Sequence, residues 1–129
     1  MLKLLADQTG ESGLKSPMRE VRLKSEYWVQ AHLRKCNAVG VPAYVARYGD
    51  NDRGLVVLKI NTLVEGCRVY TQTRDMDGNL AWLAALGGEL TAERDADAYI
   101  ARQTDRDPDL WVVEIEDREG RRWFEGDVI

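Results

Sequence analysis

The chain has 129 residues, the length of one ordinary domain, and its composition, 44% apolar and 31% charged, excludes a chain that is disordered throughout. No apolar stretch approaches the roughly 20 residues that cross a bilayer, and Met1 to Asp7 is too short an apolar run for a signal peptide. The net charge of -4 disfavours nucleic-acid binding, which depends on neutralising phosphates. We therefore expect a cytoplasmic protein with neither nucleic acid nor membrane among its partners.

The charge is distributed unevenly along the chain. Residues 1–74 contain 12 Lys and Arg against 7 Asp and Glu, whereas residues 75–129 contain 6 against 15. The two halves can attract each other within one fold, or they can form opposed patches that favour self-association. Both interpretations remain open from the sequence.

The N-terminal third predicts an extension followed by a helix. Residues 1–18 show no periodic apolar face, so we expect a flexible N-terminal extension, followed by a single domain over residues 19–129. Ser25 is a suitable N-cap for a helix over Tyr27–Val39, and Gly40 is a suitable residue to end it.

Three strands are expected next, over Ala43–Tyr48, Leu55–Thr62 and Cys67–Thr73, with turn-forming residues between them. This order predicts an antiparallel meander. Leu80–Leu86 fits either a strand or a helix.

A second helix from Thr91 to about Gln103 is followed by the clearest strand of the chain, Asp109–Asp117, and by a hairpin return over Arg122–Glu125. The pattern predicts an α+β fold with a mostly antiparallel sheet of about five or six strands. We expect the two helices to cover one face of that sheet.

Side-chain alternation suggests a working surface on the other face of the sheet. Trp111 shares its side of the last long strand with Val113 and Ile115, so it should be buried against the helices. The open face would then carry the candidate interaction residues Lys59, Asn61, Arg68, Gln72, Glu114 and Glu116.

The sequence predicts no catalytic residue, no metal site and no cofactor. Cys36 and Cys67 fit buried reduced thiols, and His32, four residues before Cys36, fits either a core-edge histidine or a thiol–imidazole pair. The alternate carboxylates of Asp105-Arg106-Asp107-Pro108-Asp109 begin like a calcium loop, but glycine is missing from the sixth position. We interpret them as turn residues.

From Arg22 onward the chain resembles a small bacterial family, domain of unknown function 1491. The passages that carry the resemblance are Arg22-Leu23-Lys24-Ser25-Glu26-Tyr27-Trp28-Val29, Arg47-Tyr48-Gly49-Asp50 with Val57-Leu58-Lys59-Ile60-Asn61, and Asp107-Pro108-Asp109-Leu110-Trp111-Val112-Val113-Glu114-Ile115-Glu116-Asp117. Members of that family begin near Arg22, so residues 1–17 depart from its pattern. The resemblance implies no catalytic residue.

Our leading hypothesis from the sequence is a small, non-enzymatic protein-interaction or adaptor domain that binds an unknown protein partner or a second copy of itself as a homodimer. The alternative is a binder of a small polar metabolite in a cleft between a helix and the sheet. A flat interface would favour the first hypothesis, and a pocket with converging polar groups would favour the second.

Overall fold

The computed structural model describes residues 24–129, so the predicted extension over residues 1–18 lies outside the described residues. None of the helices in the described range is long and apolar enough to cross a membrane. The elements are α1 (Ser25–Ala38), β1 (Ala43–Arg47), β2 (Val56–Asn61), β3 (Cys67–Arg74), β4 (Leu80–Ala84), α2 (Glu93–Arg106), β5 (Trp111–Glu116) and β6 (Asp127–Val128).

Helix α1 ends as predicted but begins differently. Gly40 has a φ of 81°, its N–H donates to the carbonyl of Asn37, and the N–H of Val41 donates to the carbonyl of Cys36. These are the two bonds of a Schellman motif. Lys24 rather than Ser25 is the N-cap, and Ser25 is the first helical residue, whose hydroxyl donates to the carbonyl of Gly54 at 2.6 Å. That serine therefore ties the start of α1 to the loop before β2.

The α+β fold is confirmed, with one six-stranded sheet in the order β1-β5-β2-β3-β4-β6. Three of the strand pairs, β1 with β5, β2 with β3 and β3 with β4, are antiparallel. The other two, β2 with β5 and β4 with β6, are parallel. The segment Leu80–Leu86, which fits either a strand or a helix by its sequence, forms strand β4 over Leu80–Ala84. Strands β2, β3 and β4 form a meander.

The predicted position of β1 within the meander is wrong, because β5 lies between β1 and β2. The connection over residues 49–54 passes the start of β5, where the N–H of Asp50 donates to the carbonyl of Asp109 at 3.0 Å. A Cβ at Gly49 or at Gly54 would collide with that same carbonyl. Glycine is therefore required at both positions by the close approach of two backbones.

The two helices lie on opposite faces of the sheet, which corrects the prediction that both cover one face. On the α1 face, Leu58 and Ile60 belong to the same core as Val29 of α1. On the α2 face, Val57 belongs to the same core as Ala96 and Ile100 of α2. Every residue of β2 is buried, as expected for a central strand covered on both sides.

The core on the α1 face is the larger and more aromatic of the two. Its buried members are Val29, Cys36, Val41, Ala43, Val56, Leu58, Ile60, Tyr70, Trp82, Trp111, Val113 and Ile115. The prediction that Trp111 is buried against a helix-covered face is confirmed, since the residue is 3% exposed. Its indole Nε1 donates to the carbonyl of Asp50 at 2.7 Å.

The segment after β5 does not return as the predicted hairpin. Asp117 accepts hydrogen bonds from the backbone and side chain of Arg121 and from the indole Nε1 of Trp123. These bonds turn the chain toward the α1 face, where Phe124 packs against Tyr70 and Trp82. The pairing of β6 with β4, on the far side of the sheet from β1, follows from this turn.

The edge strand β1 is partly covered by a side chain of α1. The carboxamide of Asn37 donates to the carbonyl of Ala43 and accepts from the N–H of Ala43, both at 3.3 Å. A further strand would use these same two backbone groups for pairing. The side chain of Asn37 thus occupies one pairing position on the outer edge of the sheet.

Candidate functional site

A buried lysine lies between α2 and the sheet and is surrounded by carboxylates. Lys59 Nζ lies 2.7 Å from Glu93 Oε2, 2.7 Å from Asp97 Oδ1 and 3.3 Å from Glu114 Oε1. The lysine side chain is 5% exposed. An ammonium group has three N–H donors, so these carboxylates can use all of them.

The register of the sheet and the position of α2 create this cluster. Lys59 is opposite Glu114 in the parallel pair of β2 and β5, so both side chains point to the α2 face. Glu93 and Asp97 are four residues apart on α2 and therefore lie on one side of that helix. Asn61 connects the two elements, because its amide nitrogen is 3.3 Å from Glu93 Oε2 and 3.2 Å from Glu114 Oε2.

The electrostatics of the cluster keep Lys59 protonated. Burial disfavours the ammonium, but the hydrogen bonds with Asp97 and Glu93 and the charge of Glu114 outweigh this and raise the pKa of Lys59 above its ordinary value. Burial also raises the pKa of the nearby Cys67 thiol, to about 11, against the opposing effect of Lys59. Neither group has the lowered pKa of an amine or thiol nucleophile.

The cluster opens to solvent through its carboxylates and Tyr44. Glu93 is 54% exposed and Asp97 is 56% exposed at their side chains. The hydroxyl of Tyr44, on β1, donates to Glu116 Oε2 at 3.4 Å. Burial, together with the charges of Glu114 and Glu116, raises the pKa of Tyr44. We call this surface, made of Tyr44, Glu93, Asp97, Glu114 and Glu116, the acidic patch.

The loop after β2 adds apolar side chains at the same end of the sheet. Leu63 has a φ of 72°, a left-handed conformation that is uncommon for residues other than glycine, and its N–H donates to Asn61 Oδ1 at 2.8 Å. Leu63 is 50% exposed and Val64 is 74% exposed. Asn61 therefore links the acidic patch to a backbone that displays two apolar side chains.

The six residues of the predicted interaction face do not share one open surface. Lys59, Asn61, Glu114 and Glu116 are brought together on the α2 face, but Lys59 and Asn61 are buried there. Arg68 and Gln72 lie on the α1 face. Gln72 is buried and accepts a hydrogen bond from the N–H of Val56.

This arrangement corrects the predicted open face, and the error has a specific cause. The alternation within each strand was assigned correctly, but β3 was placed with its polar side chains on the wrong face. The register of β3 puts Arg68 opposite Ile60 and Tyr70 opposite Leu58, so all four lie on the α1 face. Alternation within a strand shows which residues share a face, but it does not show which residues of the neighbouring strand lie on that same face.

Sequence reasoning missed three members of the acidic patch. Glu93 and Asp97 were placed only within the second predicted helix, and Tyr44 only within a predicted strand. The i and i+4 spacing of Glu93 and Asp97, in the same predicted domain as an isolated strand lysine, was the available signal. No pattern in the sequence indicates that Tyr44 lies beside Glu114.

The histidine and the two cysteines that were considered as chemical candidates are all buried in the fold. His32 Nε2 donates to the carbonyl of Trp123, and Cys36 and Cys67 are free, buried thiols. Asp107 accepts from the N–H of Asp109 at 3.1 Å, in agreement with its interpretation as a turn residue. Among residues 24–129, no group of three or more His, Cys, Asp or Glu is placed to hold a metal ion.

Comparison with known proteins connects this geometry to a family. The profile of the family "Protein of unknown function (DUF1491)" matches residues 23–125. A crystal structure of a DUF1491 family protein from Caulobacter crescentus CB15 is similar at 38% identity with a TM-score of 0.76, over 84% of this chain and 100% of that chain. An NMR structure of a DUF1491 family protein from the same bacterium gives 36% identity and a TM-score of 0.73, over 84% and 98% of the two chains.

A solution structure of a protein from A. tumefaciens is also similar, at 28% identity with a TM-score of 0.63, over 74% of this chain and 86% of that chain. The comparison with curated proteins found no match. The family match spans most of the chain, and the solved structures agree with it in both sequence and fold. The chain therefore belongs to the DUF1491 family of proteins of unknown function.

Proposed function

We propose that this protein is a small, non-enzymatic interaction domain that uses the acidic patch to bind a protein segment carrying Lys or Arg. One observation carries the proposal: the acidic patch holds four carboxylates, of which three share the single ammonium of Lys59 and the fourth, that of Glu116, accepts only the neutral hydroxyl of Tyr44 among the hydrogen bonds described. The patch therefore has a surplus of negative charge. A basic partner would neutralise that surplus.

The internal contacts of the cluster support an external partner. The three donors of Lys59 are already used by carboxylates, and all the ion pairs formed by Glu93, Asp97 and Glu114 among residues 24–129 run to this one lysine. The half-exposed carboxylates of Glu93 and Asp97 have further oxygen lone pairs to offer. A guanidinium or ammonium group from another chain matches them in charge and geometry.

Apolar and aromatic side chains beside the carboxylates support a protein rather than a small cation as partner. Tyr44 is 44% exposed, and Leu63 and Val64 are exposed at the same end of the sheet. Tyrosine is enriched at protein interfaces, where it supplies contact area at low entropic cost. The expected partner segment therefore combines Lys or Arg with apolar residues.

A second copy of the chain is one possible partner, because residues 1–74 contain more basic than acidic residues. We also propose that the protein acts in the cytoplasm, a location supported by the free thiols of Cys36 and Cys67.

The alternative function, binding of a small polar metabolite between a helix and the sheet, receives less support. The cleft between α1 and the segment that carries Phe124 and Glu125 has a volume of about 220 Å³ and mostly apolar walls, with the charged groups of Lys35 and Glu125 at its mouth, so it fits an apolar ring with charged ends better than a ligand that is polar throughout.

The proposal can be tested with a charge-reversed variant and a matched control. Glu116→Lys changes the acidic patch, whereas Asp77→Lys makes the same charge change in the exposed turn between β3 and β4. Isotope-labelled protein would be titrated with a synthetic peptide of alternating Lys and Leu, followed by NMR. We expect the peptide to shift the NMR signals of Tyr44 and Val64. Glu116→Lys should weaken peptide binding at least fivefold, Asp77→Lys should leave it unchanged, and added salt should reduce it.

Two further measurements complete the test. Proteins captured from a bacterial lysate should bind wild type and Asp77→Lys but not Glu116→Lys, and light scattering should show whether a second copy is the partner. If the peptide shifts residues elsewhere, or if both variants bind it equally, the acidic patch is not the binding surface.

A further inference from the structure

A cleft lies on the face of the sheet opposite the acidic patch, between α1 and the segment that carries Phe124 and Glu125. It is a cleft of about 220 Å³, smaller than the roughly 300–1,000 Å³ of pockets that hold drug-sized ligands. One stripe of α1 forms one wall, and β4 and the C-terminal segment form the other. The lining residues are Trp28, Ala31, His32, Lys35, Leu80, Phe124 and Glu125.

The walls of this cleft are held in place by hydrogen bonds and ring contacts. The indole Nε1 of Trp82 donates to the carbonyl of Glu125 at 2.8 Å, and the Phe124 ring lies 4.6 Å from the Trp82 ring. Trp28 stacks on His32 with a ring separation of 4.8 Å, and His32 donates to the carbonyl of Trp123. The cleft is thus formed before any ligand arrives, which lowers the entropic cost of binding.

The histidine in the wall is neutral and carries an unused acceptor. Burial is the main influence on His32 and lowers its pKa, although its hydrogen bond to the Trp123 carbonyl acts in the opposite direction. With Nε2 as donor, Nδ1 is an acceptor, and it has no partner among the described residues. The side chain is also buried, at 6% exposure.

Opposite charges stand together at the mouth of the cleft. Lys35 Nζ is 3.5 Å from Glu125 Oε2, and their side chains are 63% and 88% exposed. An ion pair this exposed contributes little to stability, so either partner can exchange the other for a ligand group. An ammonium and a carboxylate side by side match the carboxylate and ammonium of a zwitterion.

We propose that this cleft binds a free amino acid with an aromatic side chain. The ring lies between Trp28 and Phe124, the ligand carboxylate faces Lys35, and the ligand ammonium faces Glu125. The volume admits a ligand of about this size. The site is separate from the acidic patch, since α1 and α2 lie on opposite faces of the sheet.

L-phenylalanine is the probe for the test, with binding followed by NMR on the labelled full chain. We expect saturable shifts at the Trp28 indole N–H and at Ala31, with a dissociation constant of about 1 mM or lower. Each of two analogues lacks one charge, namely 3-phenylpropionate and phenethylamine, and each should bind about fivefold more weakly. N-acetylphenylalaninamide lacks both charges and represents a phenylalanine within a protein chain, so it should bind weakest of all.

Variants at the mouth separate charge recognition from simple apolar binding. Lys35→Glu should weaken the binding of L-phenylalanine and strengthen the binding of phenethylamine. Glu125→Lys should also weaken the binding of L-phenylalanine, but it should strengthen the binding of 3-phenylpropionate. The double exchange of both residues keeps the two charges at the mouth and should restore most of the L-phenylalanine affinity. Both positions are exposed, so the fold is expected to tolerate these changes.

A blocking variant locates the ligand. Ala31→Leu on the exposed side of α1 fills the cleft and should remove the shifts caused by L-phenylalanine, while leaving peptide binding at the acidic patch unchanged. The proposal is overturned if 20 mM L-phenylalanine, roughly 20 times the expected constant, causes no shift at the cleft. It is equally overturned if the uncharged amide binds as well as the zwitterion, or if Ala31→Leu has no effect.

Discussion

On the α1 face of the sheet, the side chains between helix and strands are almost all apolar, and the large rings of Trp82 and Trp111 fill the space. On the α2 face, a smaller apolar core of residues such as Val57 and Ile100 adjoins the ion cluster of Lys59. Apolar burial is non-directional and roughly proportional to area, so the α1 face supplies most of the stability.

The ion cluster has a different effect on the fold. Its net contribution to stability is small, because desolvation of Lys59 offsets much of the attraction, but disrupting it is costly. Its directional bonds join α2, through Glu93 and Asp97, to the parallel pair of β2 and β5. We infer that the cluster fixes the position of α2 on the sheet, whereas the α1 face determines how stable the sheet is.

The largest expected effect comes from the α1 face. Trp111→Ala should lower the free energy of unfolding by about 3–5 kcal/mol, because it removes a buried ring and one of the two donors to the carbonyl of Asp50, which keeps the N–H of Gly54. Urea titration of the two proteins measures the change. Tyr48→Ala, which removes a ring 74% exposed beside Trp111, should cost under about 1 kcal/mol. Equal costs for the two variants would contradict the assigned faces.

Removing the ammonium of the ion cluster should have the next largest effect. Lys59→Met leaves three carboxylates close together and should cost about 2 kcal/mol at pH 7, less than a fully buried pair because two of the carboxylates are half exposed. The exposed Lys35→Met is the control and should be nearly neutral.

The pH dependence of Lys59→Met sharpens this test. Folding raises the pKa of Lys59, so its ammonium contributes fully to the free energy of unfolding below its unfolded pKa of about 10.4. This contribution is lost as the pH rises through the folded pKa. Wild type should therefore lose stability above about pH 10, and Lys59→Met should lack this part of the decline. Thermal melts of both proteins across the alkaline range measure this difference. If the melting temperatures of wild type and Lys59→Met fell in parallel as the pH rose, the cluster would contribute nothing.

Asp117, which turns the C-terminal segment toward the α1 face, should show the opposite pH dependence. Hydrogen bonds from Arg121, with smaller help from Trp123, outweigh burial and lower the pKa of Asp117. Its contribution is complete above the unfolded pKa of about 3.9 and is lost as the pH falls through the folded value. Asp117→Asn should cost about 1–3 kcal/mol at pH 7 and less at about pH 3.

Chemical denaturation at both pH values measures this difference for Asp117→Asn. The exposed Glu119→Gln is the matched control, since Glu119 lies 3.6 Å from the same Arg121 but in solvent. A cost for Asp117→Asn that is independent of pH would show that the carboxylate charge does not hold the segment.

The smallest effect on stability is expected for Tyr44, at the open side of the α2 face. Tyr44→Ala should change the free energy of unfolding by less than about 1 kcal/mol, because the ring is 44% exposed and its hydrogen bond to Glu116 is long. It should nevertheless reduce binding of the Lys and Leu peptide several-fold. Calorimetry for stability and NMR titration for binding separate the two roles, and a large loss of stability would make Tyr44 a structural residue.

The local elements of this fold could be predicted from the sequence because their signals are local. Gly40 ends α1 through a positive φ that glycine adopts readily, and the alternation of Trp111, Val113 and Ile115 places them together on one face. The α+β class follows from the number and order of such elements.

The neighbours of β1 and β5 could not be predicted, because their pairing depends on contacts between residues that are distant in the sequence. β5 inserts between β1 and β2, although more than 60 residues separate the paired Tyr44 and Glu114. The fully apolar pattern of Val56, Val57 and Leu58 was the available sign of a strand covered on both faces. The candidate site was half predicted: Lys59 and Glu114 were grouped correctly, but the helix that buries them was placed on the other side.

The carboxamide of Asn37 has a consequence for how this protein behaves at high concentration. A bare outer strand is a template on which identical chains can polymerise edge to edge, and β1 ends one side of the sheet. By holding both backbone groups of Ala43, Asn37 acts as a cap against such growth. Asn37→Ala would leave the monomer folded but uncapped, and its first symptom should be fibrils or precipitate rather than a lower melting temperature.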